Sequence, residues 1–405
     1  MAKIDAFLKK AVEMAASDLH VSVGSPPVVR QFGQLKKFKF ADLNAAQTKA
    51  LLYEILSPEQ IREFESTMDL DFAYSIPDLA RFRGNAFVQR KGIDICFRVI
   101  KAHLPSFADL GIPEVMKKVS ENHQGLVLIT GGAGSGKSTT LAALVDYINT
   151  NRAHHVLTVE EPIEYVHPVK AGAVNQRQIG LHTKSYANSL KAALRENPDV
   201  VMVGELRDLE TISLAISASE TGHLVIGSMN TSSAHKTVDK IIDSYPSNQQ
   251  NQIRAMLGES LKAVFTQRLL PSADGRRMVL AYELLLGSLQ LGNLIKDGKT
   301  FQIPNLMQTG KNRGMRLMDD TLMDLLRAGK ITPEIAIKNA ANPKTFAQFA
   351  PKAAIEPEGA IPSATPASAS GSPARPPAGA PTSPSKPASP APGVIPGRAT
   401  KPGVG

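Results

Sequence analysis

Between residues 115 and 340 the chain alternates short, mainly apolar runs with longer stretches whose apolar positions recur every three or four residues. The runs LVLIT (126–130), VLTVE (156–160), VVMVG (200–204) and HLVIGSM (223–229) have the length and content of buried strands. After the first of them, STTLAALVDYIN puts Leu141, Leu144, Val145 and Ile148 at helical spacing. Such alternation predicts an α/β domain, residues 115–350, built on a mainly parallel sheet with helices on both faces. Near its end MDDTLMDLLRAGKITPEIAIKNA predicts two short helices, with Gly329 stopping the first and Thr332-Pro333 starting the second. Residues 1–100 read differently, as an α+β domain. Helix-like segments (3–16, 44–56, 58–65) mix there with the strand-like LHVSV, FRGNAFVQ and IDICFRVI. A linker with two prolines, 101–114, joins the two parts.

The pattern stops at Pro351. Half of the chain's 28 prolines lie from this residue onward, among Ala, Ser and Gly and without an aromatic residue. Residues 351–405 therefore predict a disordered low-complexity tail that cannot bury a core. The tail also holds five Lys or Arg against two Glu, so 5 − 2 = 3 of the net +9 charge is expected off the folded body. The remaining charge is modest and has no basic stripe with interleaved aromatics, which argues against nucleic acid as the main partner. No run reaches the roughly 18 apolar residues of a membrane span, and the N-terminus has no secretory h-region. The single cysteine, Cys96, forms no intramolecular disulfide, suits a reducing compartment and reads as a small core residue. The chain is read as cytoplasmic.

The chemistry begins where LVLIT runs into GGAGSGKST, residues Gly131, Gly132, Ala133, Gly134, Ser135, Gly136, Lys137, Ser138 and Thr139. Glycines let successive backbone N–H groups turn toward a phosphate, Lys137 supplies a point charge for the β- and γ-phosphates, and the Ser138 hydroxyl can ligate Mg2+. A strand before and a helix after complete a phosphate-binding loop, so the chain is expected to bind ATP. In an open parallel sheet ligands sit at the carboxyl ends of the strands. That rule brings Glu160-Glu161, Gly204-Glu205 and Asn230-Thr231 toward the loop. Hydrolysis needs a carboxylate that orients the attacking water. Glu205, after a fully apolar strand, is the first choice; Gly204 stands where an Asp of that element is usual. Mg2+ is then assigned to Ser138, waters, and Glu160 or Glu161.

Several stretches together resemble the type IV pilus retraction ATPases, the PilT family of twitching motility, within the secretion ATPase superfamily. They are SDLHVSVGSPPVVR, RFRGNAF, GGAGSGKSTT, TVEEPIEYVH, VNQRQIG, NPDVVMVGELRDLET, TGHLVIGSMNTSSA and KTFQIPNLMQTG, and they span residues 1–349. The resemblance implies a PAS-like N-terminal domain, a RecA-like core, and a homo-hexameric ring with nucleotide between the domains. It also implies a motor for pilus retraction acting on an inner-membrane platform protein, beside other pilus ATPases, at the cytoplasmic face of that membrane. By similarity Glu205 matches the catalytic glutamate, Glu160 the metal-side glutamate and His223 the first histidine of the His box. Arg81, Arg83 and Arg98 lie where the family's N-terminal domain supplies arginines to the phosphates. A guanidinium that reaches a γ-phosphoryl only on domain closure would couple motion to chemistry.

Three positions depart from the family pattern. Glu161 replaces an Asp, Asn230 replaces the second histidine of the His box, and Gly292 replaces an arginine in the retraction-motif helix QLGNLIKD (290–297). Asn can hydrogen-bond but cannot carry a proton or a charge. The expectation is a divergent paralogue, a slower or accessory motor. Two other readings stand beside retraction: a regulatory nucleotide-binding ring subunit, and an ATPase for pilus extension or type II secretion. No paired-cysteine zinc motif favours the last.

Overall fold

The computed structural model describes residues 2–77, 79–101 and 104–349. The tail 351–405 lies outside the described residues. The described residues fall in one compact unit with two sheets.

The first sheet is antiparallel. Helix α1 (Ile4–Glu13) precedes strands β1 (Asp18–Val21), β2 (Val28–Gln31) and β3 (Gln34–Lys37). Helices α2 (Ala45–Tyr53) and α3 (Pro58–Thr67) follow, then β4 (Asp69–Ile76), β5 (Ala80–Gln89) and β6 (Gly92–Lys101). Strand order is β3-β2-β1-β6-β5-β4. Asn44 and Ser57 close capping boxes with Gln47 and Gln60, so both helix starts satisfy their first N–H groups locally. One face of the sheet buries Leu19, Val29, Phe72, Phe82 and Phe97 against Ile4 and Leu8 of α1 and Leu52 of α2. The expected N-terminal mixture of helices and strands is thus present. β2, β3 and β4 were not legible as strands because their burial is partial or, in β3, nil.

The linker is more ordered than its prolines imply. Ala102 and His103 lie outside the described residues, but α4 (Phe107–Leu110) and α5 (Val115–Ser120) pack into the second domain. Phe107 and Ile112 are buried there, and Phe107 stacks on Tyr147 at 5.4 Å.

The second domain runs β7 (Gly125–Thr130), α6 (Lys137–Asn151), β8 (His155–Glu160), β9 (Ala173–Gln178), α7 (Tyr186–Ala193), β10 (Val200–Val203), α8 (Leu209–Glu220) and β11 (Leu224–Met229). It continues through α9 (Ala234–Asp243), α10 (Gln250–Ser260), β12 (Leu261–Pro271) and β13 (Met278–Leu286). Helices α11 (Leu289–Lys296), α12 (Ile303–Thr309), α13 (Met318–Arg327), α14 (Pro333–Asn339) and α15 (Lys344–Ala347) complete it. Strand order is β13-β12-β7-β11-β10-β8-β9, parallel except for β13. Successive residues of β7 feed opposite cores: Leu126 and Leu128 join α7 to α12 on one face, Val127 and Ile129 join α5 and α6 on the other. β9, β12 and β13 went unread in the sequence. In β12 the adjacent polar residues Thr266, Gln267 and Arg268 interrupt the apolar pattern, although Thr266 and Gln267 are buried.

Candidate active site

Local backbone requirements shape the loop between β7 and α6. Gly131 (φ +148°), Gly134 (φ +72°) and Gly136 (φ +89°) occupy conformations that L side chains rarely adopt. At Gly131 a Cβ would also meet the Gln267 carbonyl at 2.4 Å and Ser135 Oγ at 2.5 Å. From β12, Gln267 Nε2 donates to the Ser135 carbonyl at 2.7 Å, and Thr266 shares a 2.7 Å hydrogen bond with Thr130. Two buried hydroxyls and an amide thus fix the loop from the neighbouring strand. Gly136 caps α6 without a side-chain hydrogen bond. The first-turn N–H groups are therefore free to bind an anion at the positive end of the helix. Ser135 Oγ, buried beside them, has no protein partner. An orphan polar atom, uncapped N–H groups and glycine-only geometry together fit a phosphate chain.

Lys137 fills this cradle with its own charge. Nζ donates to the carbonyls of Gly131 and Gly132, both at 3.0 Å, and to Asn230 Oδ1 at 2.7 Å. Burial pulls its pKa down, opposed by the Glu205 carboxylate. Asn230, just past β11, turns its amide the other way and donates through Nδ2 to Glu205 Oε1 at 2.6 Å. Arg207 holds the second oxygen, with Nε at 2.7 Å from Oε2, and its Nη1 reaches Glu161 Oε2 at 3.2 Å. Its hydrogen bond to the Glu205 carboxylate raises the Arg207 pKa further. The carboxyl ends of β8, β10 and β11 and the loop after β7 therefore meet in one hydrogen-bonded chain: Lys137, Asn230, Glu205, Arg207, Glu161.

Glu160 sits beside this chain. Thr158 Oγ1 (2.7 Å) and Gln176 Nε2 (3.1 Å) donate to its Oε1. Burial pushes its carboxyl up, and those two hydrogen bonds pull it back toward the ionised form. Gln176 also donates to the Tyr165 carbonyl at 2.8 Å and accepts from the His167 N–H at 3.0 Å. Tyr165 in turn meets Thr139 of the loop at 3.2 Å. Gly204 cannot easily be the missing Asp: its Cβ would stand 3.1 Å from the Tyr186 hydroxyl and 3.2 Å from the Val159 carbonyl. Ser138 is exposed at the loop's end.

The arginines separate. Half-buried Arg81 faces Glu160, whose charge opposes the lowering of the Arg81 pKa by burial, and its Nε has no partner. Arg83 bridges the domains weakly, 3.8 Å from Glu164 and 3.7 Å from Asp71. Arg98 is held within the first domain by Asp18 at 3.2 Å.

His223 requires a correction. It precedes β11, level with Gly125 at the start of β7, so the length of a six-residue strand, about 20 Å, separates it from the loop of its own chain. Its Nδ1 lies 3.1 Å from the Ala218 carbonyl, a contact that ends α8. Within one chain His223 is not part of the site. Arg207, Gln176 and Gln267 are the functional residues that reading the sequence missed. Arg207 was recoverable, because it lies two residues past Glu205. Gln176 and Gln267 lie on strands the pattern did not reveal.

A model of the type II/IV secretion system protein family matches residues 1–296. The type IV pilus retraction ATPase PilT of Pseudomonas aeruginosa is 43% identical over 343 residues, 85% of this chain and 99% of that protein. The chain belongs to the PilT family of secretion ATPases. A twitching motility protein of Neisseria gonorrhoeae is 42% identical over 79% of this chain and 86% of its own. The crystal structure of the pilus retraction motor PilT with bound ADP superposes with a TM-score of 0.76 at 42% identity, covering 85% of this chain and 98% of that one. The protein is accordingly a nucleotide-binding ATPase, and the family's mixed α/β architecture is the one described above. Among the described residues no helix is long and apolar enough to cross a membrane.

Proposed function

We propose that this ATPase is a ring motor that powers type IV pilus retraction. It would assemble as a homo-hexamer on the cytoplasmic face of the inner membrane and act on a platform protein there. The observation that carries the reading is the 2.6 Å hydrogen bond placing Glu205 one amide away from Lys137. ATP bound over the N-terminus of α6 would set its γ-phosphate against Lys137. Glu205, released from Asn230 or Arg207, would then orient the attacking water. Residues 131–139 are assigned to the phosphates. Among the described residues no cluster of three or more His, Cys, Asp or Glu could hold a metal by itself. Mg2+ is therefore assigned to arrive with ATP, taking the Ser138 hydroxyl and phosphate oxygens, with Glu160 beside it. Arg81 and Arg83 are the arginines assigned to developing phosphate charge.

A second reading, an accessory ring subunit with weak hydrolysis, draws on Asn230, which supplies no positive charge where the family pattern has a histidine. Phosphate release by the assembled ring with Mg2+ separates the two, together with rescue of twitching in a strain lacking its retraction motor. Turnover with rescue supports the principal motor. Turnover without rescue supports extension or secretion, and no turnover leaves only the accessory role.

A further inference from the structure

The hairpin of β2 and β3 has properties that folding does not explain. Its two-residue turn is Phe32-Gly33, with φ +49° and φ +82°, between the paired Gln31 and Gln34. Both central residues of such a turn need positive φ, which favours Asn-Gly and penalises a bulky first residue. Phe32 nevertheless sits there, 48% exposed at the hairpin tip. β3 is the free edge of its sheet, and all four of its residues are exposed, including Leu35 at 58%. Phe40 beyond it is 52% exposed. Edges are normally short and charged so that nothing adheres to them; this one combines charge with large apolar groups. The charge has one sign. Between Asp18 and Asp42 there is no Asp or Glu, whereas Arg30, Lys36, Lys37 and Lys39 all fall in ten residues.

We infer that this hairpin docks on an anionic phospholipid bilayer, with Phe32, Leu35 and Phe40 entering the interface and Lys36, Lys37 and Lys39 meeting the headgroup charge. The arrangement favours a bilayer over a flat protein partner. Leu35 lies opposite Arg30, on the uncovered sheet face, whereas Phe40 packs edge-on against Phe7 of α1 at 5.1 Å, on the covered face. Apolar groups therefore surround a protruding edge, which a deformable interface can accept from both sides. Apolar burial and attraction to anionic lipid add for such a surface. A strained, exposed aromatic at a turn is the kind of local cost that persists where a site needs it.

Flotation of the full-length protein with phosphatidylglycerol and with phosphatidylcholine vesicles at physiological ionic strength tests this. The wild type should float with the anionic vesicles and stay in solution with the neutral ones. F32N suits the turn better, so the hairpin keeps its fold, and bound protein should drop at least five-fold. K36E/K37E should fall to background, since each lysine near an anionic surface is worth about five-fold. Deleting 352–405 should leave binding in place. Circular dichroism melts of both hairpin variants should be no lower than the wild type, and vesicle-free phosphate release should match it. Equal flotation of F32N, K36E/K37E and wild type would overturn the assignment, as would binding lost with the tail alone. A change in particle mass of the variants by light scattering would overturn it too, by making the hairpin a contact between copies.

Discussion

At the scale of single residues, the site is a set of charges arranged to be disturbed by a phosphate. Lys137 spends three hydrogen bonds on Gly131, Gly132 and Asn230, all of which phosphate oxygens can replace at greater strength. Lys137→Ala should abolish phosphate release and weaken binding of a fluorescent ATP analogue at least ten-fold. Glu205→Ala should lower turnover at least a hundred-fold while the analogue still binds, as the assignment of this carboxylate to the water rather than the phosphates requires. A second consequence concerns His167. Burial pulls its pKa down to about 4, and its Nδ1 has no partner. The unfolded chain binds that proton near 6.5, so between the two values the unfolded state holds more protons and stability falls as pH drops. The loss should approach about 3 kcal/mol near pH 4 and vanish above pH 6.5. Urea melts of wild type and His167→Gln at pH 7.5 and 5 should diverge in this way; parallel melts would show that His167 is not buried neutral.

At the scale of elements, the retraction-motif helix shows how a sequence departure changes meaning once packed. Gly292 by itself reads as a weakened helix, since Gly costs about 1 kcal/mol against Ala. In the structure α11 lies on α10 with Gly292 against Gly258, and a Cβ at Gly292 would stand 2.7 Å from the Gly258 carbonyl. The two glycines let the helix backbones touch. Gly292→Arg, the residue that the resemblance implies here, should therefore destabilise the domain by about 1–3 kcal/mol through overpacking, and even Gly292→Ala should lose more to the clash than it gains in propensity. Thermal melts decide it: a raised melting temperature in either variant would mean that the helices can part at no cost. The strands tell a similar story. β7, β10 and β11 were legible because both of their faces are covered and they read as continuous apolar runs. β9 is only partly buried, and β12 carries polar groups that clamp the phosphate loop, so neither announces itself.

At the scale of the whole molecule, charged groups link the two sheets. Arg81 of β5 faces Glu160 of β8, and Arg83 approaches Glu164. Arg81 is half-buried with an unpartnered Nε, an arrangement that a phosphate oxygen would complete. Arg81→Ala should cut kcat at least a hundred-fold with KM changed only a few-fold, as expected of a guanidinium that acts on developing charge. A proportional rise in KM with kcat intact would assign it to ground-state binding. Arg98, bound to Asp18, should be nearly silent in the same assay.

The sequence alone determined the phosphate loop, the strand that feeds it and the carboxylates at the neighbouring strand ends, because these depend on contiguous residues and on backbone geometry that only glycine tolerates. It also determined the family and, through the apolar runs, four of the buried strands. Tertiary structure alone decided which of those residues meet. It moved His223 to the far end of β11, joined Asn230 to both Lys137 and Glu205, brought Gln267 and Gln176 in from unread strands, and turned Gly292 from a defect into a contact. Each of these depends on pairing between segments distant in the chain, and no local pattern of apolar and polar residues encodes which partner a side chain will face.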